Sequence, residues 1–263
     1  MPRTEGGVAL TRRRLDAEMV RRDLARSRAD AQRLILDDKV IVRGMPTPKP
    51  ASLIDADTPV DLVTTEKRWV SRGAFKMRAG LEVFPVDVNG RAALDVGSST
   101  GGFTEVLLDA GVASVIALDV GRGQLHESLR ADPRVTSMER TNFRLVDVAD
   151  IGGPREVVVA DLSFISLCTV ASKLAEACSP DGDLIVLVKP QFEAGKRDVP
   201  RGGVIRDPEV RRQAVIGVIE CLADAGMGAR GVIRSPIEGG DGNVEYLLWL
   251  RHGPSDAVLE VPL

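Results

Sequence analysis

The chain is poor in the residues that build metal sites and disulfide frameworks, with three cysteines and two histidines among 263 residues. Cys168, Cys178 and Cys221 are odd in number and show no C-x-x-C spacing. With only His126 and His252 beside them, no metal site is expected. The three thiols read as small, reduced residues packed on helices, so disulfides are not expected either. Long apolar runs are also missing, and none approaches the roughly 18 residues of a membrane span. The opening residues Met1-Pro2-Arg3-Thr4-Glu5 carry no apolar stretch suited to a secretion signal. A cytoplasmic protein without membrane contact is the expectation.

What is present is the composition of a folded protein, 44% hydrophobic and 28% charged. The length suits one large α/β domain with a small appendage. The net charge of −3 hides an asymmetry. Residues 1–50 hold 12 lysines and arginines against 7 acids, a balance of +5, and the rest hold 23 against 31, or −8. A basic head on an acidic body suits contact with a polyanion, although a solvated surface would give the same count.

Residues 12–36 read as two short helices. Leu15, Met19 and Val20 recur at helical spacing in the first, followed by Leu24 and Ala25. Ser27 is a candidate N-cap with Asp30 three residues on, and Ala31, Leu34 and Ile35 form the second buried stripe. Strands are expected at 39–43 and 60–63. Arg12, Arg13, Arg21, Arg22, Arg26, Arg28 and Arg33 crowd the two helices with cations that can grip phosphates without reading sequence. Some of them are expected to pair with Asp16, Asp23 or Asp30 instead.

The run Arg14-Leu15-Asp16-Ala17-Glu18-Met19-Val20, then Leu24-Ala25-Arg26-Ser27-Arg28 and Lys39-Val40-Ile41-Val42-Arg43-Gly44, resembles the S4-type RNA-binding module. Arg43 stands where that module usually has asparagine. The resemblance implies an α+β RNA-binding domain over 1–66 and adds Arg14, Lys39 and Arg43 to the RNA-contacting set. Residues 67–70 (Lys67, Arg68, Trp69, Val70) are the expected interdomain linker, and 71–263 the second domain.

That second domain alternates helices with Val/Ile/Leu runs at 92–96, 114–118, 157–160 and 184–188. Such runs suit a parallel sheet buried on both faces. A final run at 244–250 follows Gly239-Gly240-Asp241-Gly242-Asn243 and reads as an antiparallel return. The expected class is therefore α/β, with a Rossmann-like, mostly parallel sheet whose last strand is antiparallel. A loop of Asp95, Gly97, Ser98, Ser99, Thr100, Gly101, Gly102 and Phe103 follows the first strand and opens a helix, a place where backbone N–H groups meet a ligand. Its glycines break the G-x-G-x-x-G pattern of dinucleotide folds. Asp95 before the first glycine suits a cationic ligand such as S-adenosylmethionine, and Asp119 at the second strand end suits ribose hydroxyls.

Four ionisable residues fall where such a sheet would gather them. Lys76 lies on the helix before the sheet, Asp161 and Lys189 close two strands, and Glu245 opens the last. Together with Ser71-Arg72-Gly73-Ala74-Phe75-Lys76, Asp161-Leu162-Ser163-Phe164-Ile165-Ser166, Val188-Lys189-Pro190-Gln191-Phe192-Glu193 and Gly242-Asn243-Val244-Glu245-Tyr246, they resemble the FtsJ-like ribose 2′-O-methyltransferases. Within these the chain resembles the TlyA family, often called haemolysin A. The resemblance implies a catalytic Lys76-Asp161-Lys189-Glu245 tetrad, Asn142 near the adenine of S-adenosylmethionine, and Lys67-Arg68-Trp69-Val70 as a variant of the family's R-x-W-V joint.

It also implies 2′-O-methylation of cytidine in ribosomal RNA of the large and also the small subunit, by a monomer, with a link to cyclic-peptide antibiotics that target ribosomes. Chemically, a lysine near the ligand can stabilise a developing alkoxide while a carboxylate holds it. Two other readings compete with this one, a membrane-active haemolysin and a ribosome-binding protein without catalysis. The absence of a spanning segment opposes the first, and the full tetrad opposes the second.

Overall fold

The computed structural model describes residues 12–43, 45–46, 49–62, 69–195, 198–256 and 260–262. Lys67 and Arg68 of the expected joint, Gly44, Val63, Lys196 and Arg197 lie outside the described residues. The chain divides into two units, Met1–Arg68 and Trp69–Leu263.

The small unit runs β1 (Arg13–Arg14), α1 (Leu15–Arg21), α2 (Arg28–Leu36), β2 (Val40–Val42), β3 (Met45–Pro46), β4 (Leu53–Ile54) and β5 (Val60–Leu62). Ser27 caps α2, its hydroxyl accepting from the N–H of Asp30 at 3.2 Å. Asp30 reaches back to the N–H of Arg26 at 3.1 Å, one residue beyond the usual return bond of a capping box. Leu15 and Met19 on α1, with Ala31 and Ile35 on α2, sit four residues apart and so face one way. They close on Val40, Ile54 and Val60 to form the core. The strand β2 lies between β3 and β5, antiparallel to both. Arg43, at φ 52°, takes the left-handed conformation that asparagine tolerates better than other non-glycine residues. Its guanidinium lies 3.6 Å from Asp55.

The large unit is built on seven strands. In chain order it runs α3 (Gly73–Val83), β6 (Ala92–Val96), α4 (Gly102–Asp109), β7 (Ser114–Leu118), α5 (Glu127–Arg130), β8 (Val135–Met138) and β9 (Arg155–Ala160). There follow α6 (Ala171–Ala177), β10 (Cys178–Val188), α7 (Pro190–Glu193), α8 (Pro208–Asp224), β11 (Met227–Arg234) and β12 (Tyr246–His252). The sheet order is β11-β12-β10-β9-β6-β7-β8. Only β12 runs against its neighbours, pairing antiparallel with β10 and β11. Successive side chains point to opposite faces of a strand. Leu94, Val158, Val186 and Leu248 therefore join the core beneath α6 and α8, while Ala93, Val157, Ile185 and Leu247 join the one beneath α3 and α4. Burying each leucine or isoleucine contributes roughly 1.5–3 kcal/mol. No helix among the described residues is long and apolar enough to cross a membrane.

Three features depart from the sequence reading. Cys168 and Cys221, expected to be reduced, form a disulfide. Packing of α8 beside the 3-10 turn Leu167–Val170 brings their Cα atoms to 5.6 Å, within bridging range, across 53 residues of sequence. Cys178 stays free but opens β10 instead of lying on a helix, and burial pushes its thiol up to about 12. Finally, β8 adds an edge strand where no apolar run announced one, because Thr136 and Ser137 face solvent.

Candidate active site

The sheet order reverses between β6 and β9, and the loops leaving their carboxyl ends part to leave a crevice. The loop after β6 is shaped by glycine. Gly97 has φ +84°, and a Cβ there would lie 2.5 Å from the carbonyl oxygen of Asp161. Only a residue without a side chain lets these two strand ends come so close. The Asp119 carboxylate at the end of β7 accepts from the N–H of Ser99 at 2.8 Å and of Gly121 at 2.6 Å. It thereby fixes the loop, and it lines a cavity of about 490 Å³ together with Gly97, Ser99, Asn142, Asp161 and Phe164. Asn142 accepts from the N–H of Arg144 at 3.1 Å and caps the turn Phe143–Leu145.

A second cavity of about 300 Å³ shares Gly97, Ser99 and Asp161 with the first. Ser98, Thr100, Gly102, Phe103 and Lys76 line it as well. Gly101, at φ 96°, turns the chain into α4. Asp95 lines neither cavity. It is fully buried under the loop, where its Oδ2 accepts from the Thr104 hydroxyl at 2.6 Å. Its Oδ1 has no hydrogen-bond partner among the described residues. Burial pushes this carboxyl up to about 7, against the pull of the Thr104 bond.

The four ionisable residues meet as two ion pairs. Lys76 Nζ donates to Glu245 Oε2 at 2.5 Å, with both side chains nearly buried. Lys189 Nζ lies 2.6 Å from Asp161 Oδ1, and that carboxylate is 22% exposed. Glu245 stands just before β12 rather than within it. Because β12 is antiparallel, its start falls at the edge where β9 and β10 end.

Sequence reasoning missed three partners here. Ser163 accepts from Lys189 Nζ at 2.8 Å. Glu193 accepts from the Ser166 hydroxyl at 2.6 Å and the Leu167 N–H at 2.9 Å, and burial raises its carboxyl above the usual range. Phe164, 91% exposed with φ 65°, sets its ring 5.3 Å from that of Phe192 beside the larger cavity. All three stand in strand-end motifs that the sequence displays, but nothing in the sequence marks these contacts. Trp69 of the expected joint packs at the edge of the core beneath α3 and α4, and the Val70 N–H donates to Glu105 at 2.7 Å.

In the small unit two buried acids organise the cations. Glu18 accepts from Arg21 at 2.5 Å and Arg22 at 2.9 Å, with Arg13 at 3.8 Å. Asp16 accepts from Arg14 at 2.8 Å, Arg28 at 3.2 Å and Gln32 at 2.8 Å. The guanidiniums hold both carboxyls below the usual carboxylate range, Arg14 chiefly for Asp16 and Arg21 chiefly for Glu18, the latter to about 2. Arg13, Arg14, Arg21 and Arg28 nevertheless keep roughly half of their side chains exposed. Arg22 instead turns inward, donating to the carbonyls of Thr58, Asp55 and Ala56. Arg12 pairs with Asp55 and Arg33 with Asp30, while Arg26 and Lys39 lie exposed.

A seven-stranded sheet with one reversed strand, and a cavity at its crossover, defines a Rossmann-like methyltransferase fold. The model of the FtsJ-like methyltransferase family matches residues 69–252. A 16S/23S rRNA (cytidine-2′-O)-methyltransferase TlyA of Mycobacterium tuberculosis is 53% identical over 241 residues, 91% of this chain and 90% of that protein. A 23S rRNA (cytidine-2′-O)-methyltransferase TlyA of Campylobacter jejuni is 35% identical, covering 69% of this chain and 70% of its own. A solved structure from Streptococcus thermophilus that carries the name hemolysin aligns with TM-score 0.71 at 36% identity, over 95% of this chain and 92% of that one. The chain belongs to the FtsJ-like methyltransferase family, on its TlyA branch.

Proposed function

We propose that this chain is an S-adenosylmethionine-dependent methyltransferase acting on the 2′-hydroxyl of cytidine in ribosomal RNA. The observation that carries it is the pair of lysine–carboxylate contacts, Lys76–Glu245 and Lys189–Asp161, beside a cofactor-sized cavity at the sheet's carboxyl edge. The residues present fit the cofactor. Asp119 would take the ribose hydroxyls, Asn142 would lie by the adenine, and the backbone from Gly97 to Phe103 would pass along the remainder. Asp95 would lie below the loop, where a cationic ligand would offset the burial that suppresses its charge. Bound there, the cofactor supplies an electrophilic methyl group.

The chain's own residues supply everything else. Asp161 lines both cavities and holds Lys189 beside them, so that the ammonium or amine would face the hydroxyl to be methylated. Lys189 orients that oxygen and takes up its proton as the methyl group transfers, a general-base role that contributes typically 10²–10⁴-fold. The Lys76–Glu245 pair fixes the second cation at the smaller cavity, which Lys76 lines. Phe164 offers an exposed face on which the target base stacks once it leaves its own helix.

The small unit over 1–66 is an S4-like RNA-binding domain, joined through 67–70 to a catalytic domain over 71–263. Arg12, Arg13, Arg14, Arg21, Arg26, Arg28, Arg33, Lys39 and Arg43 grip phosphates, while Arg22 serves the fold. The enzyme acts as a monomer in the cytoplasm on the 50S subunit and also the 30S subunit, and its loss lowers susceptibility to cyclic-peptide antibiotics that target ribosomes. The test is tritium transfer from labelled cofactor to 30S and 50S subunits from cells lacking the modification. Label on a cytidine 2′-oxygen is expected, and no incorporation on either subunit would overturn the reading.

A further inference from the structure

Two neighbouring segments of the large unit touch at two points. One is 161–167, which leaves β9, and the other is 189–193, which leaves β10. At the first point Lys189 Nζ sits 2.6 Å from Asp161 and donates to Ser163 Oγ at 2.8 Å. At the second, Glu193 takes the Ser166 hydroxyl at 2.6 Å and the Leu167 N–H at 2.9 Å. The second contact closes the loop that the first one uses.

An ammonium on a four-carbon stem has three N–H bonds and rotates easily. One partner restrains its position but leaves it free to turn. Two partners fix its direction, so that the third N–H, or the lone pair once the proton has gone, faces a single point. We propose that Ser163 is a positioning residue for methyl transfer, aiming Lys189 at the ribose hydroxyl, and that Glu193 anchors the loop that presents it. This rests on the methyltransferase reading given above.

A purely structural role fits Ser163 poorly. The residue is exposed and lines the larger cavity, so its hydroxyl fills no space in a core. Glu193 is the converse, a carboxylate kept where burial disfavours its charge, with both oxygens used on a loop that carries Ser163 and Phe164. Such a group is expected where holding a neighbouring segment matters more than the desolvation it suffers.

The experiment measures methyl transfer to 50S subunits lacking the modification, comparing wild type with Lys189→Ala, Ser163→Ala, Ser163→Thr, Glu193→Ala and Glu193→Gln. Misplacing a reacting group by about 1 Å can lower rates about 100-fold. Ser163→Ala is accordingly expected to lower kcat about 10- to 100-fold, with KM for the subunit and Kd for the cofactor within about twofold of wild type. Ser163→Thr returns the hydroxyl and is expected to recover most of the loss. Glu193→Ala should lower kcat in the same way, and Glu193→Gln, which keeps an oxygen for the Leu167 N–H, should lower it less.

Wild-type kcat in Ser163→Ala beside an inactive Lys189→Ala would overturn the inference. So would a loss confined to KM, or a threonine variant no better than the alanine one. An active Lys189→Ala would overturn the catalytic reading beneath it. A wild-type protein that transfers no methyl group would overturn both.

Discussion

The two units bury carboxylates in opposite ways. In the small unit Asp16 and Glu18 have no solvent-exposed side-chain surface, yet each holds at least two guanidiniums and stays ionised. In the large unit Asp95 is equally buried, with one hydroxyl beside it, and is pushed up to about 7. Burial alone therefore fixes neither charge state nor role. The small unit uses buried acids to space arginines over its surface, which on the proposed reading preorganises cations for a polyanion. The large unit sets two lysine–carboxylate pairs beside its cavities and leaves one acid under the loop with its charge suppressed. On the proposed reading, one unit serves grip and the other chemistry.

The sharpest break between them is expected at Lys189. Lys189→Ala should lower kcat for methyl transfer by about 10³-fold, while binding of the cofactor and of the subunit stays near wild type. Equilibrium binding measured beside single-turnover methylation checks this, and a comparable loss of RNA affinity would blur the division of labour. The next largest effect belongs to Glu18. Glu18→Gln strips the carboxylate from Arg21 and Arg22 and should destabilise the small unit by about 2 kcal/mol. Hydrogen exchange followed on peptides from 15–36 and, separately, from 92–118 would show whether the loss stays in the small unit.

The pH responses of the two units should run in opposite directions. Glu18 sits near 2 in the folded protein against an ordinary 4.5, so its contribution is present above about pH 4.5 and is lost as pH falls toward 2. Asp95 is raised from 3.8 to about 7. Between those values the unfolded chain binds fewer protons than the folded one, so stability declines as pH rises from about 4 to about 7. Asp95→Asn should flatten that decline and raise Tm at pH 8 by about 2–4 °C. Calorimetry at pH 5 and pH 8 decides it, and an unchanged slope would mean that Asp95 is ionised in the folded state.

Much of this is legible in the sequence alone. The Val/Ile/Leu runs at 92–96 and 114–118 became β6 and β7 at those bounds, because strands buried on both faces leave no polar alternation to confuse the pattern. Lys76, Asp161, Lys189 and Glu245 could be singled out because each stands at or near the end of a predictable element. Contacts across sequence could not be read that way. Nothing in the spacing says that Cys168 meets Cys221, that Lys189 reaches Ser163, or that Glu193 turns back to Leu167. Those depend on how α8 and the strand-end loops pack. Arg22 shows the same limit. Its sequence neighbours mark it as one of a basic cluster, and only the fold of residues 55–58 around its guanidinium shows that it faces inward.

That inward turn separates two kinds of arginine, and the smallest expected effect tests the separation. Each surface cation that neutralises an RNA phosphate releases a counterion, so removing it should shallow the dependence of log K on log salt by about 0.7–0.9. Arg28, 57% exposed at the edge of the Asp16 cluster, is proposed to be such a cation. Arg28→Ala should weaken subunit binding a fewfold, reduce the salt slope by about one phosphate, and leave kcat at saturating RNA unchanged. Arg22→Ala should do the reverse, lowering Tm through the lost carbonyl contacts while leaving the salt slope intact. Binding titrations between 50 and 200 mM salt would separate the two, at about the range where counterion release dominates. If the slope fell in Arg22→Ala and not in Arg28→Ala, the arginines aimed at RNA would be those that the fold turns inward, and the buried acids would be holding the wrong set in place.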